Sequence, residues 1–454
     1  MDIINPATEE VLAQVQTDTA ATLQQKYLEL RHAQPHWAAA GLKLRTAILE
    51  TFYQLLEQEK EALATILTSE VGKPLQQSRN EVTGARTRIR WMLNNAETYL
   101  SDEWMTLDTG IREKIVYEPL GVICNISAWN YPYLVGVNVI VPALLAGNAV
   151  LYKPSEYATL TGTAITKLLH AAGVPPEVFQ MAAGARQTGE LLLDMPFDGY
   201  FFTGSYKTGK HIWERVSAKM VPCQLELGGK DPLYVADDVA DIAAVAAATA
   251  DGAFYNNGQS CCAVERIYVH QAVYDAYVEA FVQEVKSWKM GPPTENGIYI
   301  GPLTRKEQLV TLENQVQEAL QNGAVLQCGG KRAAGKGYFF EPTVLTNVTN
   351  NMLVMQEESF GPIIGIMKVN SDEEAVQLMQ DTEYGLTASV YAADEKRAAV
   401  ILRQLNTGTA YWNCCDRVSA AVPWSGRKHS GMGSTLSHIG LRAFTKPRAW
   451  HLRG

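Results

Sequence analysis

The first hundred residues carry a helical pattern of apolar positions. Between Ala38 and Leu100, apolar side chains recur at spacings of three and four residues, which is typical of amphipathic helices. The sequence Gly-Lys-Pro at 72–74 interrupts this pattern, as expected between two helices. A polar, strand-like segment lies between Asp102 and Glu118, and its Asp-Thr-Gly sequence predicts a hairpin turn. We therefore expect helices that cover another element, followed by a hairpin that projects from the body.

From Gly121 the pattern changes, and short β-rich runs alternate with longer helical ones. Strand, helix and strand at this spacing indicate right-handed crossovers and a parallel sheet. Such a sheet binds ligands at the carboxyl ends of its strands. Three of these ends carry polar or glycine-rich turns, at 127–130, 153–156 and 203–209. The sequence therefore predicts a nucleotide site at this edge of the sheet.

A second series of strands and helices runs from Glu265 to about Trp412 and predicts a second domain. Its helices are expected at Tyr274–Trp288, Thr304–Asn322 and Glu373–Gln380. The C-terminal sequence Thr-Lys-Pro-Arg-Ala-Trp is expected to add a strand to a neighbour.

Composition places the chain among ordinary globular proteins. At 454 residues it is long enough for roughly two to four domains. Hydrophobic residues make up 47% and charged residues 19%, so we expect the chain to fold throughout. The net charge is −9 and no lysine- or arginine-rich run is present, which disfavours nucleic acid and anionic membranes as partners. A small-molecule partner is expected instead.

The chain shows no signal for secretion or membrane insertion. Its N-terminus lacks a basic segment followed by an apolar core, so a cytoplasmic location is expected. The most apolar window, 133–146, is shorter than the ~20 residues that cross a bilayer. Seven cysteines without paired CxxC spacing argue against disulfides and against a zinc site, and no metal is expected.

Two adjacent thiols stand out in the sequence FYNNGQSCCA at 254–263. A helical run, Val239–Ala253, precedes them and a strand-like run, Arg266–His270, follows, so Cys261 and Cys262 are predicted to lie in a loop. Glycine and asparagine tolerate the tight turns that present a side chain to a cleft. Cys261 is therefore a candidate nucleophile, although a free cysteine is more often a small buried hydrophobe.

Two further residues are candidates for chemistry. Glu226 ends an apolar strand and enters a Gly-Gly turn, where a partly desolvated carboxylate gains a raised pKa suited to activating water. The alternative is a strand-end charge that faces solvent. Asn130 follows a strand and precedes a proline-stiffened turn, where its amide could stabilise an oxyanion. It could equally be a turn-forming asparagine.

Taken together, these residues give the chain a resemblance to the NAD(P)-dependent aldehyde dehydrogenases. The resemblance covers nearly the entire chain, and LELGGK and GQSC are its most specific motifs in combination. The motifs that carry it are INPAT at 4–8, WNYP at 129–132, LYKPSE at 151–156, FTGS at 202–205, LELGGKDP at 225–232, NNGQSC at 256–261, EESFGP at 357–362 and SGRKHSG at 425–431.

The resemblance implies a role for each catalytic candidate. Cys261 stands at the nucleophile position and would attack the aldehyde, with the oxyanion held by the Asn130 amide and the Cys261 backbone N–H. Glu226 would activate the water that hydrolyses the resulting thioester to a carboxylic acid. Cys262 is then a bystander.

The resemblance also implies a set of cofactor residues. Lys153 and Glu156 would contact the adenine-side ribose, and a carboxylate there favours NAD over NADP because it repels a 2′-phosphate. The small residues after the third strand end would approach the pyrophosphate. The complete set is Ser127, Trp129, Lys153, Ser155, Glu156, Gly204, Ser205, Gly209, Leu227, Glu358 and Phe360.

The substrate is expected to be a non-acidic aldehyde. Asn138 stands where relatives specific for succinate semialdehyde carry an arginine that holds the substrate carboxylate. A succinate-semialdehyde-type dehydrogenase is the alternative. By position alone, the tunnel is expected to be lined by Tyr131, Val135, Asn138, Ser260, Cys262 and residues 415–422.

We therefore expect an α/β fold with two doubly wound parallel-sheet domains and a small β arm for oligomerisation. Residues 1–100 and 121–226 are assigned to a Rossmann-like NAD-binding domain, 227–425 to a catalytic domain, and 101–120 with 440–454 to the arm. A homodimer or homotetramer is expected. The residues alone leave two other classes open: a cysteine-dependent hydrolase or acyl transferase, and a non-catalytic relative.

Overall fold

A computed structural model of the protein describes residues 1–105 and 111–453. The Asp-Thr-Gly sequence that predicts a hairpin turn, 108–110, lies outside the described residues. The helices are α1 (Ala20–Ala39), α2 (Leu42–Gln58), α3 (Lys60–Val71), α4 (Leu75–Leu100), α5 (Pro132–Leu145), α6 (Thr159–Ala172), α7 (Arg186–Asp194), α8 (Tyr206–Val216), α9 (Ile242–Phe254), α10 (Tyr274–Ser287), α11 (Lys306–Gln321), α12 (Leu353–Gln356), α13 (Asp372–Gln380), α14 (Glu395–Leu402) and α15 (Ser437–Arg442).

Between residues 122 and 226 the strands alternate with the helices, as predicted. The strands are β1 (Asp2–Ile4), β2 (Val11–Gln14), β3 (Glu103–Met105), β4 (Arg112–Pro119), β5 (Val122–Ile126), β6 (Ala149–Lys153), β7 (Phe179–Met181), β8 (Gly199–Thr203), β9 (Cys223–Glu226), β10 (Asp231–Val235), β11 (Val264–His270), β12 (Lys289–Met290), β13 (Ile298–Ile300), β14 (Val325–Cys328), β15 (Thr343–Thr346), β16 (Ile363–Val369), β17 (Tyr384–Gly385), β18 (Thr387–Tyr391), β19 (Thr409–Trp412), β20 (Arg427–Lys428), β21 (Gly431–Met432) and β22 (Thr445–Leu452).

The first large sheet has the strand order β21-β9-β8-β5-β6-β7. Its strands run parallel, except that β21 is antiparallel to β9. The chain adds β6 and β7 on one side of β5, and then β8 and β9 on the other. Ligands bind open α/β sheets at the point where the strand order reverses, outside the carboxyl ends. The ends of β5 and β8 therefore mark the ligand crevice, and the predicted parallel sheet is confirmed.

The N-terminal helices cover this sheet, as their apolar pattern predicts. Strand β6 is buried at every position, as expected of a parallel strand that is packed on both faces. Leu49 of α2, Phe52 of α2 and Ile89 of α4 are fully buried in the same core cluster as Val150 of β6. Each such side chain contributes roughly 1.5–3 kcal/mol through removal from water.

The second large sheet has the order β14-β15-β16-β11-β10-β18-β19, with β14 antiparallel and the other strands parallel. Alternate residues of β10 enter two separate cores. Leu233 and Val235 belong to one core cluster, while Tyr234 belongs to the other. Because side chains of a strand point alternately to opposite faces, this sheet is packed on both sides.

A third sheet, which we call the arm sheet, has the order β22-β4-β3 and is antiparallel. The C-terminal strand β22 pairs with β4 from Thr445 opposite Pro119 to Leu452 opposite Arg112. The predicted C-terminal strand is thus present, and it lies at an edge of the arm sheet.

Among the described residues, none of the helices combines the length and the apolar character that a membrane crossing requires.

Candidate active site

A cavity of about 740 Å³ lies at the carboxyl ends of the first sheet. The strand ends of β5, β6, β8 and β9 line it, together with residues of α7, α8 and α11 and with Cys261, Glu358 and Phe360. Of the residues predicted for a cofactor, those lining the cavity are Ser127, Trp129, Lys153, Ser155, Glu156, Gly204, Ser205, Leu227, Glu358 and Phe360. The three catalytic candidates, Cys261, Glu226 and Asn130, line the same cavity.

Gly209 is the one predicted cofactor residue that lies behind the cavity wall in the described structure. A Cβ atom at Gly209 would stand 2.4 Å from Cδ2 of Leu227. The absence of a Cβ at Gly209 therefore permits close packing of α8 against Leu227.

The thiol-bearing loop is shaped by its asparagines. After α9 a short 3-10 turn spans Tyr255–Gly258, and within it Asn256 and Asn257 adopt left-handed φ angles of 55° and 56°. Asparagine tolerates this conformation better than most residues. Asn257 fixes the turn further, since its Nδ2 donates to the carbonyl of Pro302 at 2.9 Å. The loop delivers Cys261 half-buried to the cavity, while Cys262 is buried. The buried-hydrophobe interpretation therefore fits Cys262 and not Cys261.

Asn130 is held against the same loop. The residue is 4% exposed, and its Nδ2 donates to the backbone carbonyl of Gln259 at 3.1 Å. Because an amide nitrogen carries two N–H groups, this bond fixes the side chain and leaves a second donor for a ligand. Asn130 is thus more than a local turn residue, since it contacts a segment 129 positions away.

Glu226 is buried, and the interpretation of it as a solvent-facing charge is wrong. The residue is 8% exposed at the end of β9. Its Oε1 accepts from Oγ1 of Thr435 at 3.3 Å and from Nε2 of Gln224 at 3.4 Å. Its Oε2 has no hydrogen-bond partner within residues 1–105 and 111–453. Burial raises the pKa of Glu226 to about 8, against the partial opposition of those hydrogen bonds.

The two glycines after Glu226 allow three segments to meet. A Cβ on Gly228 would stand 2.4 Å from Oε1 of Glu358, and a Cβ on Gly229 would stand 2.7 Å from the carbonyl oxygen of Cys261. The backbone N–H of Gly229 donates to Oε1 of Glu358 at 3.1 Å. Desolvation raises the pKa of Glu358 to about 8. The Leu-Gly-Gly sequence therefore lets the Glu226 strand end, the thiol loop and Glu358 pack together.

The far end of the cavity carries groups that suit a polar, anionic ligand. Ser205 caps α8, its Oγ accepting from the backbone N–H of Thr208 at 3.4 Å, and a helix start of this kind favours phosphate. Oγ of Ser155 donates to Oε2 of Glu156 at 3.3 Å. Oγ of Ser127 is buried and has no partner in the part of the chain that the structure describes. A dinucleotide fits this set, since it offers phosphates to the helix and hydroxyls to the carboxylate and the serine.

The cavity is also lined by residues that the sequence motifs do not indicate. They lie on or next to α11 at spacings of three residues, which places them on one helix face, and they are Arg305, Gln308 and Thr311. The polar three-residue repeat within an amphipathic helix was the available signal.

Among the described residues, those that line the cavity do not include the ones expected to line a substrate tunnel. Asn138 is buried on α5, and its Oδ1 accepts from Nη1 of Arg88 at 3.0 Å. The same nitrogen donates to the carbonyl of Leu134 at 3.4 Å. Burial lowers the pKa of Arg88 to about 10, so the guanidinium is still charged at neutral pH. The residue at position 138 alone gives no indication of the cation that α4 supplies through Arg88.

A carboxyl group approaches the thiols from the other side. Sγ of Cys262 donates to Oδ1 of Asp416 at 3.0 Å, and Oγ of Ser260 lies 3.5 Å from the same oxygen. Desolvation raises the pKa of Asp416 to about 7. A hydrogen bond with Cys261, together with burial, raises the pKa of Cys262 well above its ordinary value. Part of the 415–422 segment therefore contacts the thiol loop.

Comparisons with known proteins agree with this arrangement. The sequence model described as "Aldehyde dehydrogenase family" matches residues 1–450. The chain is 32% identical to aminoaldehyde dehydrogenase 1, peroxisomal, of Pisum sativum, over 97% of this chain and 90% of that protein. It is 33% identical to the protein named probable succinate-semialdehyde dehydrogenase NADP(+) of Sinorhizobium fredii, with the same two coverages.

A solved structure gives the same result for the fold. A point mutant of betaine aldehyde dehydrogenase from Staphylococcus aureus, in complex with NAD⁺, matches with a TM-score of 0.95 and 31% identity, over 100% of this chain and 94% of that one. The resemblance carried by the motifs therefore extends to sequence, fold and length, and the chain belongs to the aldehyde dehydrogenase family.

Proposed function

We propose that the protein oxidises an aldehyde to its carboxylic acid with NAD⁺ and water, through a covalent bond to Cys261. One observation supports this proposal above all. Three separate segments of the chain bring Cys261, Asn130 and Glu226 to one cavity, which the predicted cofactor residues also line. Membership of the family supports aldehyde oxidation in general. The arrangement supports this particular division of roles.

The first step is attack of the Cys261 thiolate on the aldehyde carbon. The carbonyl oxygen becomes an oxyanion, which the second N–H of the Asn130 amide and the backbone N–H of Cys261 stabilise. Asn130 needs no reorganisation for this task, because its other N–H is already bonded to Gln259. The product is a thiohemiacetal.

The nicotinamide ring, when bound, would accept a hydride from the thiohemiacetal carbon. Loss of that hydride leaves a thioester on Cys261. Glu226 then takes a proton from a water molecule, whose oxygen attacks the thioester carbonyl. The sulfur leaves as the thiolate, and the carboxylic acid is released. The unpartnered Oε2 of Glu226 is the free acceptor that this proton transfer requires.

We propose NAD⁺ in preference to NADP⁺. Glu156 lines the cavity, where its carboxylate accepts from a ribose 2′-hydroxyl and repels a 2′-phosphate. Replacing Glu156 with Ser should lower the ratio of kcat/KM for NAD⁺ to that for NADP⁺ by about tenfold, the equivalent of one 1.4 kcal/mol interaction. Replacing the exposed Glu214 with Gln should leave the ratio unchanged. An unchanged ratio in the Glu156 variant would refute this argument.

For the substrate we propose an aldehyde without an acidic group. Arg88 supplies one cation, yet Nη1 is bonded to Asn138 and Leu134, and the Asp416 carboxyl contacts the thiol loop from the other side. With Nη1 engaged in this way, Arg88 is a weaker anchor for a substrate carboxylate. The alternative, a succinate-semialdehyde-type enzyme, is favoured by Arg88 and by the Sinorhizobium fredii relative.

A panel of short, long, aromatic, amino- and carboxy-aldehydes, assayed by NADH formation, tests these proposals together. We expect NADH with non-acidic aldehydes. A preference for the carboxy-aldehyde that is lost on replacing Arg88 with Met would instead establish the alternative substrate class. A cysteine hydrolase or acyl transferase would consume a thioester or ester and give no NADH from any aldehyde.

A further inference from the structure

The Gly-Lys-Pro break between α3 and α4 contains a buried charge that the chemistry above does not use. Lys73 is 0% exposed, and it pairs with Glu81 of α4, which is 3% exposed. Removing two charges from water costs several kcal/mol for each ion, which their attraction offsets only with good geometry. An apolar pair would fill the same space without that cost. The hydrogen bonds that the two charged side chains make therefore indicate what the ion pair does.

Both members of the pair contact the turn that carries the oxyanion donor. Nζ of Lys73 donates to the backbone carbonyl of Asn130 at 2.8 Å. Oε1 of Glu81 accepts from the backbone N–H of Tyr133 at 2.9 Å. The pair therefore brackets residues 130–133, where the chain leaves β5 and enters α5. The ammonium also lies 3.8 Å from the ring centroid of Tyr131, which adds a cation–π contact to the same turn.

The carbonyl of Asn130 has a second donor, which comes from the thiol loop. Nδ2 of Asn256 donates to this carbonyl at 3.1 Å and to the carbonyl of Gln259 at 3.0 Å. The side chain of Asn130 donates to Gln259 as well. A closed set of bonds thus links the Lys73–Glu81 pair, the Asn130 main chain and the loop that ends in Cys261.

We propose that Lys73 and Glu81 are positioning residues, which hold the main chain of Asn130 so that its amide stands at the oxyanion of the Cys261 adduct. This inference rests on the function proposed above. Displacement of a catalytic group by about 1 Å costs on the order of 100-fold in rate, so removal of either charge should be costly although neither residue touches the substrate.

The test is a double-mutant cycle on purified full-length enzyme. Lys73→Met and Glu81→Gln are each made alone and with Asn130→Ala, and Lys43→Met, at an exposed position of α2, is the matched control. We expect kcat/KM for the aldehyde to fall by about 10- to 100-fold in each single variant. In the Asn130→Ala background the same changes should cost less than about twofold, because residues acting as one unit are not additive.

Two further readouts separate positioning from general damage. The Kd for NAD⁺, followed by quenching of protein fluorescence, and the rate of Cys261 alkylation by iodoacetamide should both stay within about twofold of wild type, because neither uses the oxyanion donor. The inference would be overturned if kcat/KM fell by the same factor with and without Asn130, or if NAD⁺ bound more weakly by that factor. Unchanged kcat/KM in both single variants would overturn it as well. Failure of the proposed function is seen separately, as a wild-type enzyme that forms no NADH from any aldehyde.

Discussion

Burial decides what the Glu226 carboxyl can do. In water a glutamate is ionised at neutral pH and is a weak base, but desolvation in this cavity raises its pKa to about 8. A base whose pKa lies near the working pH combines a useful ionised fraction with a strong tendency to take a proton. Glu226 therefore gains its proposed role from the strand end that buries it.

The raised pKa predicts how activity depends on pH. Glu226 must be deprotonated to accept a proton, so turnover should rise as pH increases through about 8 and then level off. Replacing Glu226 with Gln should lower turnover by about 10²- to 10⁴-fold and abolish this limb of the profile. The exposed Glu214, replaced with Gln, is the control and should leave the profile unchanged. A wild-type profile that is flat from about pH 6 to 9 would contradict the assignment.

The same shift predicts a change in stability. Folding raises the pKa of Glu226 from the ordinary 4.5, so the folded state favours the protonated carboxyl. The stabilisation is present below the ordinary pKa, and it is lost as pH rises through about 8. Glu226→Gln should therefore melt at a higher temperature than wild type at about pH 9, and this gain should shrink towards about pH 5.

At the residue scale, the motifs predict the catalytic candidates but miss some residues that line the cavity, such as Gln308, and some buried ones. Cys261, Glu226 and Asn130 were identified because each lies in a short local sequence. Lys73 and Arg88 were missed, since what matters for each is a partner 46 or more positions away. Local spacing contains no information about such contacts, and they emerge only when α4 packs against α5.

Helix α8 contributes to the binding site partly through residues that fix the position of the helix. It begins at the carboxyl end of β8, and Ser205 caps it. Gly209, one turn along, packs against Leu227. This contact seats the start of the helix beside the cavity, where backbone N–H groups suit a phosphate.

Enlarging that glycine should therefore weaken cofactor binding. In Gly209→Ala the new Cβ would lie 2.4 Å from Leu227, so α8 or Leu227 must move. We expect the Kd for NAD⁺, measured by fluorescence quenching, to rise by about tenfold, which corresponds to 1.4 kcal/mol. Lys210→Ala, at the exposed neighbouring position, should bind NAD⁺ as the wild type does. Wild-type affinity in the glycine variant would show that α8 does not need this contact.

The sequence predicts the helices and strands whose apolar residues form a clear pattern. Buried parallel strands such as β6 and β8 are mainly apolar runs between helical segments, so the sequence predicts their order along the chain. Strand β21 was not predicted, because two residues, Gly431 and Met432, carry no periodic signal. It joins the first sheet only because the chain returns to place Gly431 opposite Glu226.

At the scale of the molecule, the arm sheet ends on two outer strands within the residues that the structure describes. Strands β22 and β3 are its outer strands, and β22 extends over eight residues. Exposed backbone donors and acceptors on a long edge favour pairing with another chain. Trp104 and Trp450 are 48% and 39% exposed on this sheet, which adds apolar surface for association. We therefore propose that the arm joins copies of the chain.

Removal of β22 should change the oligomeric state. By light scattering after gel filtration, we expect the full-length protein at the mass of a dimer or tetramer. A variant truncated after Phe444 should run at a lower mass, because it lacks the edge strand and Trp450. A full-length protein that is monomeric at micromolar concentration would contradict the proposal.

The central claim, covalent catalysis by Cys261 with hydrolysis assisted by Glu226, is tested most directly by trapping the acyl-enzyme. The Glu226→Gln variant is mixed with NAD⁺ and an aldehyde that the wild type oxidises, and its peptides are mapped by mass spectrometry. The account predicts an acyl group on Cys261 that forms only with NAD⁺ present, and an unmodified Cys262. An acyl group on another residue, or NADH formation without any adduct, would contradict it.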